Sequence, residues 1–197
     1  MFRTTERPLA KGKRILVPTD LSERSLTAIH YAISLARKRG AEVVALHVVA
    51  DDPQLMSAMI PLDSEMLALR PWFPVGERAR NFIDNRLRNR DRMLQNFLSQ
   101  HFGPEGLQPV KITRLIMAGE IVEEILHVAR RKKCDLIVMA TRGRGWIARK
   151  IFGSVSEKVA RQALRPVIII YPSGVLRQKG GRAATGPLIL REAPNHA

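Results

Sequence analysis

Ala140-Thr-Arg-Gly143-Arg-Gly-Trp-Ile-Ala-Arg-Lys-Ile-Phe-Gly153-Ser154 follows an apolar run, Leu136-Ile-Val-Met139, and leads into a helical start at Ser154. The run reads as a buried strand, so the whole stretch is a strand, a glycine-bearing loop and a helix N-terminus. That combination makes a phosphate site. Glycine lets backbone N–H groups close on an anion, and the helix start adds unpaired donors with a partial positive charge. The spacing is small-x-x-Gly-x9-Gly-Ser, with Ala140 in the first small position. A triphosphate is the expected occupant.

Outward from this loop the chain alternates strands and helices. Lys13-Arg-Ile-Leu-Val-Pro18 reads as a short buried strand ended by proline. Leu21 to Arg39 carries Leu26, Ile29, Ala32, Ile33 and Ala36 at helical spacing and stops at Gly40. Glu42 to Val49 is a strand apolar through most of its length, as one covered on both faces should be. Arg78 to about His101 reads as a helix with Phe82, Leu87, Leu94 and Leu98 facing inward. Val110–Met117 is a third strand and Glu120–Lys133 a third helix, on Ile121, Val122, Ile125, Leu126 and Val128. The Leu136 run is strand four, and Val167–Tyr171 is strand five. The order predicts an α/β fold, a single doubly wound domain on a five-stranded parallel sheet with helices on both faces. Residues 1–12 are expected to be a flexible leader, 13–172 the domain and 173–197 a mobile tail in which Pro187-Leu-Ile-Leu190 could dock. Residues 50–76, with prolines at 53, 61, 71 and 74 among apolar side chains, form a long loop or lid.

The composition sets bounds. A chain of 197 residues with 45% hydrophobic and 26% charged residues suits one globular domain. No stretch approaches the roughly 20 apolar residues of a membrane span, so no membrane partner is expected. The single cysteine, Cys134, excludes an internal disulfide, fits a reducing cytoplasm and reads as a small buried hydrophobe. A formal charge of +15 favours anionic partners. Nucleic acid remains possible through Arg78–Arg92 and Arg130–Lys133, although no aromatic platform or nucleic-acid motif accompanies the charge.

Three strand ends carry suitable chemistry: Pro18-Thr19-Asp20-Leu21-Ser22, Met117-Ala118-Gly119-Glu120 and the glycine loop. Together with His47-Val48 in strand two, these residues resemble the universal stress protein family over residues 13 to 172. The resemblance implies a sheet order of 3-2-1-4-5, ATP held between the ends of strands one and four, and a homodimer through Val167–Tyr171. Carried over by motif position, Asp20 would hold the ribose or adenine side, with Pro18 and Thr19 lining the base. Val48 would offer backbone contacts to adenine, and Met117 and Gly119 would close the pocket. Gly143, Arg144, Gly153, Ser154 and Val155 would bind phosphates and ribose, and any Mg²⁺ would ride on the phosphates. Ala140 departs from the fullest motif, which has glycine there; alanine costs little unless φ must be positive.

Each residue has a plainer reading. Asp20-x-x-Glu23 and Ser154-x-x-Glu157 both fit helix capping boxes. The arginines of the loop could be solvated, Trp146 could simply pack, and His47 on its apolar strand reads as a core histidine. Gly143-x-Gly145-x-x-Ala148 is no dinucleotide fingerprint, since it follows strand four and no acid lies in Val167–Tyr171. Gly153-Ser154 lacks the lysine of a Walker A loop. No second acid constellation accompanies Asp20, so at most slow ATP hydrolysis is expected. The function expected is an adenine-nucleotide-binding switch or sensor in the stress response. The alternative is a basic interaction protein binding nucleic acid or an acidic partner without nucleotide.

Overall fold

A computed structural model of the protein describes residues 13–55, 77–141, 154–170 and 188–191. Strands β1 (Arg14–Pro18), β2 (Glu42–Val49), β3 (Ile112–Ala118), β4 (Leu136–Ala140) and β5 (Val167–Ile170) pair in parallel. A sixth strand, β6 (Leu188–Arg191), adds antiparallel to β5 and gives the order β3-β2-β1-β4-β5-β6. The expected parallel order 3-2-1-4-5 is therefore present, with one strand more. The helices are α1 (Glu23–Arg39), α2 (Glu77–Leu107), α3 (Ile121–Arg131) and α4 (Ser154–Gln162).

Strand parity sorts the core into two layers. Ile15, Val17, Val43, Ala45 and Val138 face α1 and α2, where Ala28, Ala32, Leu94 and Leu98 meet them. Leu16, Val44, Leu46, Ile137 and Met139 face the opposite way, onto Val122, Ile125 and Val128 of α3 and Val159 of α4. The alanines of α1 let that helix lie close to the central strands. Gly40 ends α1 in the left-handed conformation (φ 62°), its N–H bonding back to Ala36. In α2 the helix breaks at Gly103 (φ 60°, ψ 175°), immediately before Pro104. Proline disfavours helix at the preceding residue, which accounts for the break near the expected end at His101.

Boundaries differ from expectation where local chemistry competes. The first helix starts at Glu23 rather than Leu21, because Leu21 has a positive φ of 58° and cannot join the helix. Within the expected tail, residues 188–191 lie in the sheet. An unpaired β5 edge would leave a row of backbone donors and acceptors open, and Leu188-Ile-Leu-Arg191 fills it. Of the long loop, residues 50–55 are described, and Asp52 caps a short turn there by accepting from the Leu55 N–H at 3.0 Å. Residues 56–76, most of the tail and the leader up to residue 12 lie outside the described residues.

The strand starts are tied by a polar network. Arg14 donates from Nε to Glu42 (3.1 Å) and from Nη1 to the Lys132 carbonyl (2.9 Å), clamping β1 to β2 and to the end of α3. Glu42 also accepts from Thr113 Oγ1 (2.5 Å) and pairs with Lys111 (3.5 Å). The Thr113 bond, helped by Arg14 and Lys111, holds the Glu42 carboxyl below its ordinary value against the opposing effect of burial. Cys134, fully buried beside this network, has its thiol pushed up to about 11 by burial, so it is a protonated packing group at neutral pH.

Glu42→Gln is expected to destabilise the fold at neutral pH by about 1.5–3 kcal/mol, the range for hydrogen bonds to a charged group. Because the folded carboxyl titrates below the ordinary 4.5, the wild-type advantage is complete above that pH and is lost as pH falls through the lower folded value. Urea unfolding of both proteins from pH 7 down to pH 3 checks this: the two midpoints should converge in acid.

Candidate functional site

A cavity of about 420 Å³ opens beyond the carboxyl ends of β1, β2 and β4. The winding reverses between β1 and β4: the chain leaves β1 toward α1 on one face and leaves β4 toward α4 on the other. A crevice at that point is where open α/β sheets bind ligands, and the volume is in the range of small-molecule sites.

The β1–α1 turn forms one wall. Its backbone is pinned by the Thr19 N–H, which donates to the Leu46 carbonyl at 2.8 Å. Thr19 is buried, its hydroxyl 2.8 Å from Ser25 Oγ and accepting from the Leu21 N–H at 3.1 Å. That second bond helps hold Leu21 in its left-handed conformation, strain of a kind that clusters at functional sites. From β2, the buried His47 lies beneath the turn with Nδ1 3.0 Å from the Thr19 carbonyl. A carbonyl can only accept, so Nδ1 carries the proton and donates. Nε2 has no hydrogen-bond partner among the described residues. His47 is thus the core histidine expected from its strand, and it also fixes the turn.

Asp20 is exposed on the lip of the cavity. It does not cap α1: the N-cap is Ser22, whose backbone N–H (3.1 Å) and hydroxyl (2.5 Å) both donate to Asp20 Oδ1. The capping-box reading of Asp20-x-x-Glu23 fails because the chain makes an extra turn through Leu21 before the helix begins. The cavity's other exposed acid, Asp51, pairs with Arg90 at 3.7 Å.

The structure brings together Pro18, Thr19, Asp20, Val48, Ala140 and Val155 of the expected site. Ala140 keeps strand geometry, paired with Ile170, so the position needs no positive φ and alanine costs no backbone strain there. Ser154 opens α4 as expected, which turns the start of that helix, at Val155 and Ser156, toward the cavity. Met117 and Gly119 do not line it: they stand one strand away, Met117 paired in register with Val48. Gly119 has a backbone requirement of its own. With φ 151°, an added Cβ would lie 3.0 Å from Glu124 Oε1, so glycine is needed for the turn from β3 into α3. Gly143, Arg144 and Gly153 lie outside the described residues.

Sequence reasoning missed the floor and the polar lining. Leu46, Met139, Ile121 and Ile125 supply apolar surface, while Ser25, Thr141 and Ser156 are buried hydroxyls on the walls. The periodicity that marks the four apolar residues as core is equally what places them under the cavity. A hydroxyl at an inward helical position, as at Ser25 and Ser156, was the one available signal. No group of three or more His, Cys, Asp or Glu among the described residues is arranged to hold a metal ion.

Thr19→Val keeps the side-chain shape but leaves the Leu21 N–H without its acceptor. A loss of about 1–3 kcal/mol is expected, the cost of an unsatisfied buried donor, read as a lower urea midpoint with unchanged far-ultraviolet circular dichroism.

Comparison with known proteins supplies the context for this cavity. A model of the universal stress protein family matches residues 12–70 and 88–171. A universal stress protein of Methanocaldococcus jannaschii is 32% identical over 158 residues, covering 80% of this chain and 81% of that protein. The Bacillus subtilis universal stress protein YxiE is 27% identical over 157 residues, covering 80% of this chain and 97% of its own. Among solved structures, the universal stress protein UspA of Lactobacillus plantarum superposes with a TM-score of 0.53 at 26% identity, covering 82% of this chain and 99% of that one. A universal stress protein in complex with cAMP has a TM-score of 0.50 at 20% identity, with 83% and 100% covered.

Proposed function

The chain belongs to the universal stress protein family, and from that premise we propose that it binds an adenine nucleotide, ATP in the first instance, in the cavity between β1 and β4. The observation that carries the reading is the crevice itself: about 420 Å³ at the reversal of strand order, apolar beneath, hydroxyl-lined at the sides and flanked by a helix N-terminus. An apolar floor suits a base, and a helix start with a glycine-bearing loop before it suits phosphates. A fold neighbour solved with cAMP is in keeping with an adenine ligand.

In this reading Pro18, Thr19, Asp20 and Val48 hold the base and ribose. Gly143, Arg144, Gly153, Ser154 and Val155 hold the phosphates, with Mg²⁺ bound through them. Met117 and Gly119 act on the pocket through the neighbouring strand. Little or no hydrolysis is expected. The cavity's exposed acids are Asp20, which accepts from Ser22 through Oδ1, and Asp51, which pairs with Arg90, and among the described residues no group of three or more His, Cys, Asp or Glu is arranged to hold a hydrolytic metal. The protein then acts as a switch or sensor in the cytoplasmic stress response, its bound and free states differing in affinity for a partner. Among the described residues no helix is long and apolar enough to cross a membrane.

Calorimetry with ATP and Mg²⁺ at physiological salt tests the proposal. The wild type is expected to bind with a micromolar Kd, and Gly153→Val, which puts bulk on the phosphate loop, to bind at least 100-fold more weakly with its fold intact. Absence of binding by wild type, with no nucleotide released on denaturation, would overturn it.

Assembly as a homodimer through Val167–Tyr171 belongs to the same proposal, with a condition attached. In the structure β6 occupies the β5 edge, so a second copy pairs there only when β6 leaves. A chain truncated after residue 172 should therefore dimerise more tightly than the full chain in sedimentation equilibrium; equal or weaker association would argue against pairing at this edge.

A further inference from the structure

The five parallel strands all begin at the pole opposite the cavity, and all four helices end there. Backbone bonds run along this base from strand to strand. Val43 N–H donates to Lys111, Glu42 N–H to Lys13, Asp135 N–H to Arg14 and Ile137 N–H to Pro166, each at 2.9–3.0 Å. Five adjacent strands span about 19 Å at ordinary strand spacing, and a helix layer flanks the row on either side.

The charge here is one-sided. On one face α1 ends in Arg37, Lys38 and Arg39; on the other, α3 ends in Arg130 and Arg131 and runs on into Lys132 and Lys133. Arg165 stands before β5. Two acids of the base are already engaged, Glu42 by Arg14, Lys111 and Thr113, and Asp135 by Lys13 and the Arg14 N–H; a third, Glu105 near the end of α2, is exposed and offsets one of the many cations. Lys38, Arg130, Arg131, Lys133 and Arg165 are exposed and form no ion pair with an acid among the described residues. Helix dipoles favour cations at C-termini, but each helix end carries only about half a charge. Four consecutive basic residues across the end of one helix exceed what that end can use.

The other arginine-rich stretch, on α2, is different. There Arg86 pairs with Asp52, Arg88 with Asp84 and Arg90 with Asp51, while Asp91 holds Arg114. Of the two basic faces legible in the sequence, the base of the sheet keeps the larger surplus.

The chemistry of the base selects among polyanions. None of the described Phe or Tyr residues is exposed, so the described part of this pole offers no stacking platform for single-stranded bases and no aromatic anchor for a bilayer interface. Leu164, 65% exposed, is the one large exposed apolar side chain described at this pole, too little apolar surface to insert. What remains is a broad array of exposed guanidinium and ammonium groups. We propose that the base of the sheet binds the phosphate backbone of duplex nucleic acid, without reading its sequence, at a site separate from the nucleotide cavity.

The test is fluorescence anisotropy of the full chain with a labelled DNA duplex of about 20 base pairs. Affinity should fall roughly 10²- to 10³-fold between about 50 and 200 mM salt, as expected for around five phosphate contacts. The variant Arg130→Gln, Arg131→Gln, Lys133→Gln should bind at least tenfold more weakly. The variant Arg80→Gln, Arg88→Gln, Arg92→Gln on α2, which removes the same number of charges, should change affinity less than threefold. Should the first variant fail to fold, Lys38→Gln with Arg165→Gln probes the same pole from other elements. Four results would overturn the proposal: no duplex binding at the lower salt, equal losses in the two triple variants, displacement of the duplex by millimolar ATP with Mg²⁺, or binding to phosphatidylserine-containing vesicles in place of DNA.

Discussion

Parallel pairing of β1 with β2 on one side and β4 on the other is the constraint from which the rest follows. With β1 central, the chain winds outward through α1 and α2 on one face and returns through α3 and α4 on the other. Right-handed crossovers permit no other distribution of helices for that strand order. The loops after β1 and β4 must then diverge, and the cavity is the gap they leave. The same geometry sends every parallel strand start and the ends of all four helices to the opposite pole. Crevice and basic base are two ends of one topological fact.

The crevice keeps its shape through a small set of buried polar bonds rather than through packing alone. Thr19 joins β2 by its N–H, α1 by its hydroxyl and His47 by its carbonyl. A turn with a left-handed leucine would otherwise relax; here its neighbours over-determine it. Asp20 is presented at the lip because Ser22 holds one of its oxygens from behind. At the other pole Arg14 and Glu42 play the matching part, fixing the strand starts so that register is set from both ends of β1.

Edges and charges show how the chain departs from a minimal doubly wound domain. β6 covers the outermost parallel strand, which turns a pairing edge into an occupied one. Acidic residues gather in first helical turns, Glu23, Glu123, Glu124 and Glu157, and basic residues in last turns. Helix dipoles account for the direction of that polarity. The cations at the base outnumber those paired with Glu42 and Asp135 among the described residues.

Much of the architecture is legible in the sequence because it depends on neighbours along the chain. Apolar runs such as Leu136–Met139, the helical period from Ile29 to Ala36, and Gly40 as a stop are all local signals. The Ala140–Ser154 spacing and Pro18-Thr19-Asp20 likewise marked out strand ends that the structure brings to one cavity. Tertiary structure decided the remainder. Asp20 belongs to the lip and not to a helix cap because Leu21 turns the chain away first. Leu46, Ile125 and Met139 look like ordinary core by period, and become a cavity floor only because their strand ends and helix start face the crevice. Met117 and Gly119 fall one strand outside it by register. The base is assembled from residues 13–14, 37–39, 111, 130–133 and 165, which no window along the chain contains together. Propensity and hydrophobic period are set by adjacent residues, whereas juxtaposition is set by strand order and register, and those exist only once the sheet has formed.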